Sequence, residues 1–217
     1  MMKKEGLPSR GPNVTPRDVL LGLTRAEDVA YPLRWGILGA GEVSRQFVLS
    51  AGESAGATIA AVAARSRGSA EAFANAHGIE HAYSDIESML ASKSVDIIYV
   101  GTPDKLHKQH CLLAIEAGKH VLCEKPLGLT IAECNEIIEA STAANRVLQV
   151  GHEMRFQRMY QEMKSMIDQG QLGNLHLMWC REFRGPMRPG WRSSQALTGG
   201  TILEKNCHHF DLFNWMI

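Results

Sequence analysis

The sequence has no apolar run long enough to span a bilayer, no CxxC pair, no excess of either charge sign, no internal repeat and no low-complexity tract. The first absence argues against a membrane-spanning helix, which needs roughly 18 to 20 apolar residues in a row. The opening MMKKEGLPSRGPNVTPRD also lacks the continuous apolar core of a secretory signal. The five cysteines (Cys111, Cys123, Cys134, Cys180 and Cys207) are an odd set at irregular spacing, which argues against a disulfide framework and against a structural zinc site. Such cysteine usage fits a reducing compartment, so a cytoplasmic location is expected. Lys plus Arg equals Asp plus Glu at 23 each. With no net positive field to draw the chain onto phosphate backbones or anionic lipid, neither nucleic acid nor a membrane is expected as a partner.

What is present is a chain of 217 residues, 45% hydrophobic and 21% charged, which suits one complete globular domain with a partial or small second one. Residues 1–32, rich in Pro, Gly and charge, read as a flexible arm, with one helical turn where Thr15 caps and Pro16 opens DVLLGL. From Leu33 on, short apolar strands alternate with amphipathic helices. The strands are RWGILG, TIAAVAA, HAY, DIIYVGT, KHVLCE and RVLQVG. This alternation predicts an α/β domain over 33–151 with a doubly wound parallel sheet covered on both faces. Gly78 and Gly118 are placed as helix C-caps, Asp85 and Thr130 as N-caps. After Gly151 the rhythm changes to a long helix (MRFQRMYQEMKSMIDQG), a strand (NLHLMWCREFR), a Pro/Gly-rich loop through Trp191 and a final helix. Residues 152–217 are therefore expected to begin an α+β second domain that is truncated, because a lone strand has no neighbour to complete its hydrogen-bond ladder.

Gly39 and Gly41 follow the first strand, and Glu42 and Val43 open the next helix. Backbone amides at such a turn receive a pyrophosphate, as in a Rossmann domain. Ser44 replaces the third glycine of the usual fingerprint. Taken alone, the turn is equally a tight connection that binds nothing. The second strand ends at Ala64-Arg65-Ser66-Arg67, about 24 residues beyond the loop, where an NAD-selective domain presents an acidic residue to the ribose. Arg65 and Arg67 with the Ser66 hydroxyl suit a 2′-phosphate instead. NADP is thus the expected cofactor, with NAD possible; the competing reading makes both arginines, Arg67 above all, solvated positions at a helix start.

Glu124-Lys125-Pro126 directly follows the strand KHVLC, at the carboxyl edge of the sheet where open α/β folds bind ligands. The stretch GTPDKLHKQHCLLAIEAGKHVLCEKP, the glycine loop, MRFQRMYQEMKSMIDQGQLG and GGTILEKNCHHFDLFNWM together resemble the Gfo/Idh/MocA oxidoreductase family from about Leu33 to Ile217. The resemblance implies a Rossmann cofactor domain followed by the start of a substrate domain. It makes Lys125 the active-site lysine, with a cis Lys125-Pro126 bond, and places His107 near the cofactor beside Thr102, Pro103 and Glu124. It also places Arg155, Tyr160, Trp191 and Arg192 (and Arg184) where family members line the substrate pocket, although Tyr160 and Trp191 equally suit a core. A homo-oligomer is expected of a full-length parent and is undetermined for this chain.

Glu204 and His208 are four apart and share a helix face, so the carboxylate is expected to orient the imidazole as a general base. The family commonly has aspartate at the first of these positions, and Asn206 replaces a common glycine. Cys207, His209 and Asp211 point around the helix and are not expected to converge on a metal; Asp211 is read as a partner of the His208 face or as a solvated charge. The expected chemistry is hydride transfer between nicotinamide and a hydroxyl or carbonyl carbon of a sugar, polyol, inositol or dihydrodiol. His208 would handle the proton and Lys125 the developing alkoxide. Two other readings stand beside it: a nucleotide-binding regulator without turnover, and an inactive fragment of an active parent.

Overall fold

The computed structural model describes residues 32–54, 56–183, 185 and 190–217. All but the last residue of the expected N-terminal arm, and Arg184, lie outside the described residues. The six expected strands form as β1 (Leu33–Leu38), β2 (Ala57–Ala63), β3 (His81–Tyr83), β4 (Ile97–Val100), β5 (His120–Cys123) and β6 (Leu148–Val150). They make one parallel sheet in the order β3-β2-β1-β4-β5-β6. The order in which strands are added reverses at β1, with β2 and β3 to one side and β4 to β6 on the other, and the crevice at the carboxyl ends of β1 and β4 is where a sheet of this order binds ligands.

Burial on both faces explains the strand composition. All four residues of β4, IIYV, are buried, as a central parallel strand requires. Side chains alternate between two cores. Leu38, Ala61, Ile98 and Val100 join Met89, Cys111, Ile115 and Ile137 on one face, while Ile37, Val62 and Tyr99 join Val48 and Ala74 on the other. Helices α1 (Glu42–Gly52), α2 (Arg67–His77), α3 (Ile86–Ala91), α4 (His107–Glu116) and α5 (Ile131–Ala143) connect the strands. Ser66, Asp85 and Thr130 cap α2, α3 and α5 by accepting from the amides of Ser69, Ser88 and Glu133. Gly78 ends α2 in the left-handed conformation.

Beyond β6 the chain forms a 3-10 turn (Glu153–Phe156), α6 (Arg158–Asp168), a second 3-10 turn (Trp191–Ser193), α7 (Gln195–Thr198) and α8 (Thr201–Met216). Two expectations are corrected here. The single long helix is split, because Gln157 is extended (φ −73, ψ 132) between the 3-10 turn and α6. The strand expected over NLHLMWCREFR does not form; Leu177, Trp179 and Phe183 are strongly exposed. A strand needs a paired neighbour for its amides and carbonyls, and no strand among the described residues lies beside this stretch. Helix α8 by contrast buries Glu204, His208, Leu212 and Met216, one residue per turn, and this stripe carries two polar side chains inward. Among the described residues no helix is long and apolar enough to cross a membrane.

Candidate active site

The site begins where β1 ends. Gly39 has φ +102, and a Cβ there would stand 2.8 Å from the Gly101 carbonyl oxygen, so only glycine fits. Its amide donates to Ala63 O and the Gly101 amide donates to Leu38 O, each at 2.9 Å, pinning the loop between β2 and β4. Ser44 is fully buried against Gly101, whose own Cβ would lie 2.4 Å from the serine Oγ. Gly41 is the N-cap of α1 and makes no side-chain cap; a Cβ on it would meet no protein atom within 4 Å. Glycine at 41 is therefore not demanded by the protein's own packing. It leaves the first-turn amides of α1 open to an approaching anion.

A cavity of roughly 590 Å3 runs along the carboxyl edge from this loop. Its wall brings together Gly39, Gly41, Glu42, Val43, Arg65, Thr102, Pro103, Glu124, Lys125, Trp191, Arg192 and Glu204. Three expected cofactor residues stand elsewhere. Ser66 uses its Oγ to cap α2 and donates it to Ser69 Oγ at 2.9 Å. Arg67 pairs with Glu71 at 2.7 Å, one turn along the exposed face of α2. His107 is fully buried, its ring nitrogens 2.7 Å from Pro126 O and 2.9 Å from Thr102 O, so it braces the turn on which Lys125 sits.

The cavity instead presents Ser69 and His110, neither of them expected from the sequence. Each lies three residues beyond an expected residue, so helical spacing was the available signal. His110 Nδ1 and Thr102 Oγ1 share a hydrogen bond of 2.9 Å, and burial drives the imidazole's affinity for protons down to about 4. It is neutral at physiological pH.

At the other end of the cavity Lys125 follows β5, and the Lys125-Pro126 bond is cis. The ammonium donates to Glu204 O at 2.8 Å and lies 4.0 Å from Glu204 Oε1. Arg192 Nε at 3.6 Å and Lys205 Nζ at 3.2 Å face the same carboxylate oxygen. Glu204 thus faces three cations, Lys205, Arg192 and Lys125, while the carboxylate of Glu153 faces His208. Asp104 is buried beside it, and burial pushes its carboxyl up to about 6, with the charges of His107 and Lys125 acting in the opposite direction. Oxygens of both carboxyl groups, Asp104 Oδ2 and Glu204 Oε2, are buried without a hydrogen-bond partner.

A second cavity of roughly 640 Å3 has Lys125 in its wall, together with Phe47, Tyr99, Glu124, His152, Gln157 and His208. Glu124 Oε1 accepts from Tyr99 OH at 2.7 Å, and burial raises the glutamate's affinity for its proton. His208 Nε2 is 3.6 Å from Glu153 Oε1. Asp211 takes Arg155, whose Nε donates to Oδ2 at 2.6 Å. Arg155 also sits 5.7 Å over the Trp215 ring, so it braces α8. Trp191 and Arg192 stack on each other at 4.8 Å. Tyr160 lines neither cavity; burial, Cys180 and Glu182 hold its hydroxyl above the usual phenol range.

These residues fit a nicotinamide dinucleotide. An open helix N-terminus at Gly41 suits the pyrophosphate, Arg65 flanks the same cavity, and buried unpaired carboxyl oxygens beside Lys125 suit N–H or O–H donors.

Comparison with known proteins bears on the same residues. Residues 33–152 match the family described as "Oxidoreductase family, NAD-binding Rossmann fold", and residues 160–217 match the GFO/IDH/MocA C-terminal domain. The chain is 31% identical over 187 residues to 1,5-anhydro-D-fructose reductase of Ensifer adhaerens, covering 85% of this chain and 56% of that one. It is 33% identical over 178 residues to trans-1,2-dihydrobenzene-1,2-diol dehydrogenase of Xenopus laevis, covering 81% and 54%. The crystal structure of an NAD-binding protein from Listeria innocua superposes with a TM-score of 0.75 at 25% identity, covering 86% of this chain and 55% of that one. The chain thus spans little more than half the length of these relatives. With the Rossmann sheet, the glycine loop and the lysine after β5 all falling within the matched segments, the chain belongs to the Gfo/Idh/MocA oxidoreductase family.

Proposed function

We propose that this chain carries the cofactor domain, residues 33–151, and the first part of the substrate domain, residues 152–217, of an NADP(H)-dependent oxidoreductase. Its substrate is a hydroxyl or carbonyl compound of the sugar, polyol, inositol or dihydrodiol type. The observation that carries this reading is the position of Lys125 in the walls of two cavities, one leading back to the glycine loop and Arg65, the other to His208. Bound nicotinamide would supply the hydride acceptor or donor; the remaining work falls to the chain itself.

The α1 amides and Arg65 hold phosphate groups, and an arginine without an acidic neighbour at the end of β2 favours a 2′-phosphate over a free ribose diol. The Lys125 ammonium hydrogen-bonds the reacting oxygen and stabilises alkoxide charge in a site shielded from water. Glu204, buried among Lys125, Arg192 and Lys205, balances that charge and keeps Lys125 in place. His208 exchanges the proton. The relatives' names, a reductase of 1,5-anhydro-D-fructose and a dehydrogenase of a cyclic diol, support the substrate class.

Nicotinamide fluorescence during NADPH titration, followed by a turnover screen on polyols and sugars with Lys125→Met as the control, tests this proposal. NADPH uptake with turnover that Lys125→Met lowers about a hundredfold or more is the expected result. Failure of folded protein to take up either nicotinamide coenzyme would refute it.

A further inference from the structure

A 3-10 turn, Asp104–Leu106, follows β4 and leads into α4. Asp104 is 5% exposed, stands in the wall of the first cavity with Lys125 and Glu204, and has its Oδ2 buried without a hydrogen-bond partner. The two carboxyl groups differ in how their charge is met. Glu204 has Lys205, Arg192 and Lys125 within 4.0 Å of one oxygen. Around Asp104 the influences are divided. Burial, the largest of them, and Glu204 from α8 favour the neutral acid, while His107 from α4, Lys125 after β5 and the residue's own backbone amide favour the carboxylate. Cys123 at the end of β5 and Cys207 on α8 are the other titratable groups beside it. Helix α7, which packs against the turn, brings only Gln195, Ala196, Leu197 and Thr198, none of them titratable. A buried carboxyl in such a balance gives up its proton when one further positive charge arrives.

The two forms of a nicotinamide coenzyme differ in charge at this end of the cavity and nowhere else. The oxidised ring is a cation and the reduced ring is neutral, while the phosphates near the glycine loop and Arg65 are the same in both. A buried anion beside the ring therefore acts on one form and not on the other. We infer that Asp104 is the group through which the site distinguishes the two oxidation states: its carboxylate favours NADP+, its protonated form gives up that preference, and uptake of NADP+ releases more of its proton than uptake of NADPH. The inference rests on the proposed redox role of Lys125 and extends it to the coenzyme form that the site prefers. Rising pH ionises Asp104 and tips the site toward the coenzyme that oxidises a hydroxyl; falling pH removes that bias.

The test titrates the whole chain with NADP+ and with NADPH by calorimetry from about pH 5.5 to about pH 8, and takes the ratio of the two dissociation constants so that titration of the coenzyme's own phosphates cancels. The ratio Kd(NADP+)/Kd(NADPH) is expected to fall about tenfold as pH rises over this range, the size of a one-unit downward shift of the carboxyl on meeting a cationic ring. Asp104→Asn should flatten that dependence and hold the ratio near its low-pH value. Calorimetry at about pH 6, in two buffers of different ionisation enthalpy, counts the protons; the wild type should release more of them with NADP+ than with NADPH. A ratio that does not change with pH in the wild type, or the same dependence in Asp104→Asn, would overturn the inference while leaving the cofactor reading standing. If Asp104→Asn does not fold, the wild-type proton count decides the matter, and equal release with both coenzymes overturns the inference. Absence of uptake of either coenzyme by the wild type would overturn both readings.

Discussion

Alanine at Gly39 and alanine at Gly41 should produce opposite phenotypes, although the two glycines lie in one loop. At Gly39 an added methyl meets two penalties. The residue has φ +102, outside the range that L side chains adopt readily, and the Cβ would lie 2.8 Å from a backbone oxygen and 3.1 Å from its carbon. Backbone strain of this kind costs about 1–3 kcal/mol, and forcing an atom into a packed site costs a similar amount. A total near 3–4 kcal/mol corresponds to a fall in melting temperature on the order of 10 °C for a chain of this size. At Gly41 the backbone is in the ordinary extended region (φ −100) and nothing lies within 4 Å of the added Cβ. Replacing an N-cap glycine by alanine costs only about 0.5–1 kcal/mol, or roughly 2–4 °C. The same methyl, however, stands where a pyrophosphate would approach the α1 amides. Losing one charge-assisted hydrogen bond there, about 1.5–3 kcal/mol, weakens NADPH binding roughly tenfold to a hundredfold. Thermal unfolding measured alongside NADPH titration separates the two effects. A Gly41→Ala protein that binds NADPH like the wild type, or that melts as early as Gly39→Ala, would refute the assignment of the loop as a phosphate cradle.

Arg65→Ala is expected to weaken NADPH roughly tenfold to a hundredfold, the value of a charged hydrogen bond to phosphate, with little effect on NADH; parallel titrations with both coenzymes check it. Lys125→Met should lower kcat about a hundredfold to a thousandfold, as loss of an oxyanion donor does, while fluorescence titration shows NADPH still bound. For Asp104 the folded carboxyl is raised to about 6 from an ordinary value near 3.8, so the folded state holds its proton more tightly and this group's stabilising contribution is lost as pH rises through that interval. Asp104→Asn removes the penalty, so its melting temperature relative to the wild type should climb between pH 4 and pH 7; parallel curves would contradict the buried-carboxyl argument.

Much of the fold was legible because its signals are local. Six apolar strands set between amphipathic helices, with Asp85 and Thr130 as N-caps and Gly78 closing a helix, recur in the structure within a residue or two of the expected bounds. The glycine loop and Lys125 were equally visible, since a ligand at a sheet's carboxyl edge depends on which residues follow the strands. The stretch 174–184 misled for the complementary reason. Its composition suits a strand, but a strand is a pairwise object, and composition does not supply the partner.

Side-chain partners within the site lay beyond the sequence. Spacing of four put Glu204 and His208 on one face of α8 but said nothing of what faced them. Tertiary packing set Lys125 and Arg192 beside Glu204 and gave Asp211 to Arg155 and His152, from segments well separated in the chain. Likewise it buried His107 against the Pro126 and Thr102 carbonyls, whereas the Ser66 cap and the Arg67–Glu71 pair are local contacts three and four residues apart on α2. Sequence alone determined which elements form and which residues stand at the sheet's edge, because these follow from periodicity and backbone geometry within a few residues. Only the tertiary structure decided which charges meet, because a charged side chain goes to whatever partner the assembled elements bring within about 4 Å.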